Sequence, residues 1–236
     1  FSEDVQVDEI GEPQEVPSAA EAGKMAGMAV RLPESLDLLP AFYFQPGGNM
    51  TFNVDLELVK AVLKDLERED IELPKELDNA VVQVTVNASV VTMYGDCRYE
   101  EPSAATPAQD PDDPTSWEKP IEEKECITLI QMPSPTVSAP PELNLEQIGE
   151  AYLQILGFSR EEAVSFARNI DWTSTFVIPI PRYHGDYREV TVDGVKGVLL
   201  NSYGSANLTW VKDGVIYFLY GTGTAEELLA IANSLQ

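Results

Sequence analysis

The chain has 236 residues, 44% of them hydrophobic, which is enough for a core in one large domain or two small ones. Its 15 Lys and Arg stand against 40 Asp and Glu, so the formal net charge is -25 at pH 7. A field of this sign repels phosphate backbones and anionic lipid headgroups, which argues against nucleic-acid binding and against electrostatic docking on a membrane. The simplest role of the charge is to keep the protein soluble and monomeric.

Residues 1–24 are acidic and contain prolines without apolar periodicity, which predicts a flexible tail or linker. Residues 25–236 are predicted to form a single α+β domain, with a sub-boundary near residues 133–142 as the alternative. No run approaches the ~18 apolar residues of a membrane span. Because the chain begins at Phe1 and not at Met, we expect the numbering to start inside a longer protein, after a removed leader or a membrane anchor.

The first half of the predicted domain combines one helix with several strands. Asp55 is placed to cap a helix that runs to about residue 68, because apolar residues follow it at helical spacing. Strands are predicted at residues 50–54, 80–94 and 126–132, with a break or bulge in the second of these. Residues 98–125 are rich in proline and carboxylates, which predicts a long, acidic surface loop.

Three helices are predicted in the second half. Asn144 is placed to cap the first of them. Ser159 with Glu162, and Thr224 with Glu227, have the spacing of capping boxes that begin the other two.

Two Asp-Gly pairs mark tight turns, since these residues tolerate the positive φ that hairpin turns require. They predict hairpins at residues 187–201, around Asp193-Gly194, and at residues 208–220, around Asp213-Gly214. A further strand is predicted at residues 176–180. The fold class is therefore α+β, with a curved antiparallel sheet packed against several helices.

The supply of metal-ligating side chains is small. The sequence contains two cysteines, Cys97 and Cys126, and one histidine, His184. Zinc sites made of four cysteines, or of cysteine and histidine pairs, need more ligands than this. We therefore expect no metal of these types, and no other cofactor is indicated.

Cys97 and Cys126 border the proline-rich loop, one after a predicted strand and the other at the start of the next. If those strands pair, the two side chains lie near each other at the neck of the loop. A disulfide there would stabilise the fold by ~3 kcal/mol in the chain-entropy model, and such a bond persists in an oxidising, extracytoplasmic compartment. Two separate thiols are the alternative.

The side chains of Trp172, Trp210 and Tyr217 are candidates for the lining of an apolar ligand pocket. Aromatic residues more often fill the core between a sheet and its helices, and we favour that interpretation. The pocket stays open as the alternative, because it would give a carrier protein its binding site.

Two short patterns resemble reactive or nucleotide sites without completing one. His184 and Asp186 could form an acid–base dyad, but no nucleophile motif accompanies them, and the neighbouring glycine and prolines favour a loop. The Gly-Thr-Gly-Thr segment at residues 221–224 lacks the third glycine of a dinucleotide fingerprint and the lysine of a phosphate-binding loop. We interpret it as a turn followed by a helix cap.

The densest carboxylates of the proline-rich loop depart from the spacing of calcium-binding loops. A solvated acidic loop is the favoured interpretation, with an adventitious calcium site as the alternative. These carboxylates are Asp110, Asp112, Asp113 and Glu118.

The C-terminal run resembles a known family. Residues 197–200 (GVLL), 208–217 (LTWVKDGVIY) and 227–235 (ELLAIANSL) look like the C-terminal part of bacterial DUF4367-type domains, and residues 170–181 are similar to the same family. Such domains occur in extracytoplasmic regions of anti-sigma-factor-like membrane proteins and lipoproteins. The resemblance implies that location and a tether, and it implies no catalytic residues.

We therefore expect a non-catalytic, extracytoplasmic sensory or protein-interaction domain that meets the membrane only through a tether. It would bind an unknown protein partner or a small apolar ligand. The alternative is a carrier that holds a lipid or another apolar ligand under the curved sheet. An enzyme is the least favoured class, because no constellation of reactive side chains is complete.

Overall fold

The computed structural model describes residues 5–8, 11–65, 67–97, 125–173, 186–202 and 205–236. Within these ranges the chain forms helices and two antiparallel sheets, one of four strands and one of eight, which confirms the α+β class. The chain divides into two compact units, each made of three separate segments. None of the described helices is long and apolar enough to cross a bilayer.

In chain order the elements are β1 (Val5–Val7), β2 (Gln14–Val16), α1 (Ala19–Ala26), β3 (Pro40–Gln45), β4 (Gly48–Asn53), α2 (Leu56–Asp65), a 3-10 turn (Lys75–Leu77), β5 (Val81–Val86), β6 (Ser89–Gly95), β7 (Cys126–Pro133), β8 (Thr136–Ser138), α3 (Leu145–Ile155), α4 (Arg160–Ala167), β9 (Asp186–Val192), β10 (Val195–Ser202), β11 (Ser205–Lys212), β12 (Val215–Gly221) and α5 (Ala225–Asn233).

Unit 1 consists of Phe1–Gln14, Gln45–Ser89 and Met132–Tyr183. It holds the four-stranded sheet, in the order β1-β4-β5-β8, together with α2, α3 and α4. The helical periodicity after Asp55 is explained by burial, since α2 places Leu56 and Leu63 in two small apolar clusters.

Unit 2 consists of Glu15–Phe44, Val90–Gln131 and His184–Gln236. Its eight-stranded sheet has the order β2-β3-β6-β7-β12-β11-β10-β9. Alternate residues of the strands face one core, in which Leu199 lies opposite Leu208 and Leu208 opposite Leu219. Helix α5 covers this face with side chains that include the fully buried Leu228 and Ala232.

The predicted helix starts and hairpins are confirmed. Asn144 caps α3, and complete capping boxes begin α4 at Ser159 and α5 at Thr224. Both Asp-Gly turns form with φ of 51° at Asp193 and at Asp213. The strand predicted at residues 176–180 lies outside the described residues.

The segment predicted as a flexible tail contains regular structure. Within residues 1–24 the chain forms β1, β2 and most of α1. Ser18 caps α1 by accepting a hydrogen bond from the N–H of Glu21, and Ala22 is fully buried. The helix has only eight residues and buries alanine and glycine, so it lacks the stripe of large apolar residues on which sequence analysis depends.

Candidate functional site

Cys97 and Cys126 form a disulfide in unit 2, with their Cα atoms 4.8 Å apart. Pairing of β6 with β7 places Gly95 opposite Cys126, so Cys97 lies just beyond the paired end of its strand, after Asp96. Of the two alternatives that the sequence left open, the structure has the bond. The two cysteines are 29 residues apart in the sequence, and most of the residues between them lie in the segment predicted as a proline-rich loop, which is outside the described ranges.

The end of β12 holds the backbone of Cys126 in place. The N–H of Thr222 donates to the carbonyl oxygen of Cys126 over 2.8 Å, and the N–H of Cys126 donates to Thr222 Oγ1 over 3.0 Å. Glycine is required at position 221, because a Cβ there would lie 2.1 Å from the same carbonyl oxygen. The Gly-Thr-Gly-Thr segment therefore packs closely against the backbone of Cys126 and ends in the cap of α5. This agrees with the predicted turn and cap.

An open groove of about 640 Å³ lies beside this contact in unit 2. Its lining comes from residues 35–38, from the start of β7, and from the connection between β12 and α5 together with α5 itself. The volume is within the range of ligand sites in proteins. The apolar side chains that line the groove are Leu36, Leu38, Ile127, Ala230 and Ile231.

Residues 33–35, which lead into the groove, are fastened to the C-terminal end of the chain. Pro33 forms a β-bridge with Leu235. The N–H of Glu34 donates to the carbonyl oxygen of Ser234 over 3.2 Å, and the hydroxyls of Ser35 and Ser234 lie 2.8 Å apart. The groove is thus held by backbone and hydroxyl contacts beside residues 35–38 and by the Cys126–Thr222 contact beside β7.

Three carboxylates, those of Asp37, Glu125 and Glu227, also line the groove, and its described lining contains no Lys or Arg. Glu227 Oε2 accepts hydrogen bonds from the N–H of Thr224 over 2.7 Å and from its hydroxyl over 3.0 Å. These hydrogen bonds, chiefly the one from the backbone, hold the pKa of Glu227 below its usual value. The carboxylate of Glu227 is therefore charged at neutral pH, and the groove combines an apolar lining with negative charge.

A second cluster in unit 2 is centred on Asp193, whose side chain is 9% exposed. Its carboxylate accepts hydrogen bonds from both terminal nitrogens of Arg31, one of them over 3.1 Å, and from Lys212 Nζ over 2.8 Å. Arg31 also donates to the carbonyl oxygen of Leu235 over 2.7 Å, and Asn233 Oδ1 accepts from the N–H of Asp193 over 2.8 Å. The hydrogen bonds from Arg31 first, and then those from Lys212, hold the pKa of Asp193 below its usual range.

Gln131 positions the backbone of Arg31. The side chain of Gln131 is fully buried, its Oε1 accepts from the N–H of Arg31, and its Nε2 donates to the carbonyl oxygen of Arg31, both over 2.9 Å. The amide side chain thus makes the two backbone hydrogen bonds that a neighbouring strand would otherwise make. The guanidinium carbon of Arg31 also lies 5.8 Å from the ring centroid of Tyr217, within cation–π range.

The structure brings two of the three predicted pocket aromatics together. Trp210 and Tyr217 are buried in the core of unit 2 and stack with their ring centroids 5.0 Å apart. Trp172 lies in unit 1, where its Nε1 donates to the carbonyl oxygen of Ala167 over 3.0 Å. Gly149 makes room for it, since a Cβ there would lie 2.1 Å from the indole ring. None of the three aromatics lines the groove of unit 2.

Three buried polar atoms in unit 2 have no hydrogen-bond partner among the residues that the structure describes: Thr92 Oγ1, Tyr94 Oη and Trp210 Nε1. Burial raises the pKa of Tyr94 to about 12, so its phenol stays protonated at neutral pH.

His184 and the loop carboxylates Asp110, Asp112, Asp113 and Glu118 lie outside the described ranges. Within those ranges no group of three or more histidine, cysteine or acidic side chains could hold a metal ion.

Neither Arg31 nor Gln131 was identified from the sequence, and Asp193 was identified only as a turn residue. Arg31 and Asp193 are hydrogen-bonded but lie 162 residues apart in the sequence, so no local sequence pattern connects them. The groove was missed for the same reason, because its lining comes from three distant segments. Within the groove, local sequence indicated the turn that contains Thr222 and Gly223 and the capping box to which Glu227 belongs.

Comparison with known proteins bears on the C-terminal part of the chain. No curated protein and no solved structure matches the chain. A family match begins at Gly157 and includes α4, both Asp-Gly hairpins and α5, whereas Arg31, Cys97 and Cys126 lie outside it. Residues 157–235 match the family model described as a domain of unknown function, DUF4367, which confirms the resemblance of this part of the chain.

Proposed function

We propose that the protein is a non-catalytic, extracytoplasmic domain of the sensory or protein-interaction kind, and that it binds its partner in the groove of unit 2. A tether would join it to the membrane, as part of an anti-sigma-factor-like protein or a lipoprotein. The observation that carries the proposal is the disulfide of Cys97 and Cys126, because such bonds persist in oxidising compartments outside the cytoplasm.

The contacts around the groove support a binding role. Residues beside the groove are fixed by the pairing of Ser35 with Ser234 and of Cys126 with Thr222. A site that is already ordered loses little conformational entropy when a ligand binds, so more of the contact energy appears as affinity.

The location is tested in the cells that produce the protein. Intact cells are treated with a maleimide, and the mass of the protein is then measured before and after reduction. We expect Cys97 and Cys126 to be protected until a reductant is added. Cysteines that react before reduction would show that the protein resides in a reducing compartment and would contradict the proposal.

The interaction is tested by placing a photoreactive amino acid at Ala230 in the groove, with the same residue at Ala61 as control. Ala61 is exposed on α2 of unit 1 and does not line the groove. Illumination of intact cells should give a polypeptide adduct at position 230 and none at position 61. Equal adducts at both positions, or none at either, would contradict binding in the groove.

A second candidate function is a carrier of a lipid or another apolar ligand, which the groove volume of about 640 Å³ favours. A carrier purified without denaturation should contain a ligand of constant mass that organic solvent extracts. Photocrosslinking at Ala230 would then yield a small-molecule adduct in place of a polypeptide. An empty protein and a polypeptide adduct would remove the carrier hypothesis.

A further inference from the structure

We propose that the groove of unit 2 binds a short basic, amphipathic peptide segment of another protein. Apolar side chains of that segment would contact the apolar lining, and its Lys or Arg side chains would pair with the carboxylates. The proposal rests on the proposed interaction function and specifies the chemistry of the partner.

The charge of the groove is complementary to that of a basic segment. Asp37, Glu125 and Glu227 line the groove together, and the described lining contains no side chain of opposite sign. The whole chain carries a formal charge of -25, so the long-range field also attracts cations. A second copy of this chain carries the same charge and is disfavoured as the occupant.

The apolar lining excludes a ligand that is merely cationic. Leu36 and Leu38 pack against the main core of unit 2 from its edge, and with Ile127 and Ile231 they line the groove. A small hydrated cation would leave these side chains in contact with water. A segment in which apolar and basic residues alternate satisfies both parts of the lining, because apolar burial supplies affinity and the carboxylates supply selection.

The carboxylate of Glu227 is directed by the helix cap. Oε2 is held by the N–H and the hydroxyl of Thr224, so the side chain stays fixed beside Gly223, where a Cβ would lie 3.1 Å from that oxygen. A charge that is already positioned costs less conformational entropy to pair than a free side chain on an open surface.

The probe is a fluorescent peptide of alternating Leu and Lys, measured by fluorescence anisotropy with the whole chain at physiological salt. A Ser/Lys peptide has the same charge without the apolar side chains, and a Leu/Glu peptide has the apolar side chains with the opposite charge. We expect only the Leu/Lys peptide to bind and its affinity to fall as salt is raised. Equal binding of the Ser/Lys peptide would show general attraction to an acidic protein and would overturn the proposal.

Protein variants locate the binding. Asp37→Asn with Glu125→Gln should weaken Leu/Lys binding about tenfold, from the loss of two exposed charge pairs. Glu15→Gln with Asp213→Asn changes the net charge equally at exposed residues of unit 2 outside the groove, and it should change the affinity by less than about twofold. Equal losses in the two double variants would overturn the proposal.

Ala230→Arg places a long cationic side chain in the groove at an exposed helix position, where Arg is a good helix former. It should abolish binding, whereas Ala61→Arg on α2 should not. If Ala230→Arg fails to fold, the carboxylate pair and its control still decide the result. Unchanged binding in folded Ala230→Arg would overturn the proposal.

The outcomes separate this proposal from the proposed function. Oxidised cysteines and a polypeptide adduct at Ala230, without binding of the Leu/Lys peptide, would leave an interaction domain whose partner has different chemistry. Reduced cysteines in the cell would contradict the extracytoplasmic function whatever the peptide does.

Discussion

Asp193-Gly194 and Asp213-Gly214 are the same dipeptide in the same kind of turn, but their aspartates have different surroundings. Both aspartates have φ of 51°, and the two glycines have φ of 77° and 75°. The Asp193 carboxylate is nearly buried and binds Arg31 and Lys212, whereas Asp213 is exposed. The local sequence therefore determines the turn, and residues far away in the chain determine what the aspartate does in it.

The surroundings of Asp193 connect its turn to the groove of unit 2, whereas the structure describes no such connection for Asp213. Arg31 begins the segment that continues through Pro33 and Ser35 into the groove lining. The Asp193 turn fixes the start of that segment through Arg31, whereas Asp213 itself makes no ion pair among the described residues. One turn thus supports the candidate binding site, and the other provides a matched internal control.

The largest effect is expected from Asp193→Asn. The variant keeps a residue that tolerates positive φ but leaves the partly buried guanidinium of Arg31 without its anion, so we expect a loss of about 2–3 kcal/mol in unfolding free energy. Asp213→Asn should stay within about 0.5 kcal/mol of the wild type. Urea denaturation measures both, and equal losses would show that the turn, and not the ion pair, carries the stability.

The difference between wild type and Asp193→Asn should also depend on pH. The hydrogen bonds from Arg31 lower the pKa of Asp193, so its contribution is complete above the unfolded pKa of about 3.9 and is lost as pH falls through the folded pKa. Urea titrations at acidic pH should show the two proteins converging. A gap that is constant down to strongly acidic pH would mean that Asp193 does not act through its charge.

Features that depend on neighbouring residues were predicted from the sequence. The capping boxes at Ser159 and Thr224 and both Asp-Gly turns require only contacts within a few residues, and all are confirmed.

The two cysteines are distant in the sequence, but they could be considered as a pair because the sequence contains no other cysteine, and the structure has the disulfide.

Features that depend on distant contacts were not predicted. Helix α1 buries small residues and shows no apolar stripe, so its sequence predicts a tail and not a helix. Gln131 has the sequence appearance of an ordinary strand residue, yet it is fully buried because it binds both backbone groups of Arg31. The groove combines side chains from three separate segments, and a single sequence contains no signal that relates them.

A smaller effect, equal at the two turns, is expected from Gly194→Ala and Gly214→Ala. A Cβ on either glycine would meet nothing within 4 Å, so the cost comes only from the positive φ and should be about 1–2 kcal/mol for each. Thermal or urea unfolding should give two similar values. A clearly larger loss at Gly194 would mean that the substitution also shifts Asp193 away from Arg31.

The smallest effect is expected from Lys212→Met, which keeps the aliphatic stem and removes the ammonium. Lys212 Nζ donates to the carboxylate and the carbonyl oxygen of Asp193, but the Lys212 side chain is 30% exposed and Arg31 remains as a partner, so the loss should be about 0.5–1 kcal/mol. In a double-mutant cycle with Asp193→Asn, the coupling energy measures the share of the ion pair that belongs to Lys212. A coupling as large as the whole effect of Asp193→Asn would make Lys212 the principal partner. Asp193 would then join the two neighbouring turns, and it would no longer explain how the segment that begins at Arg31 is held.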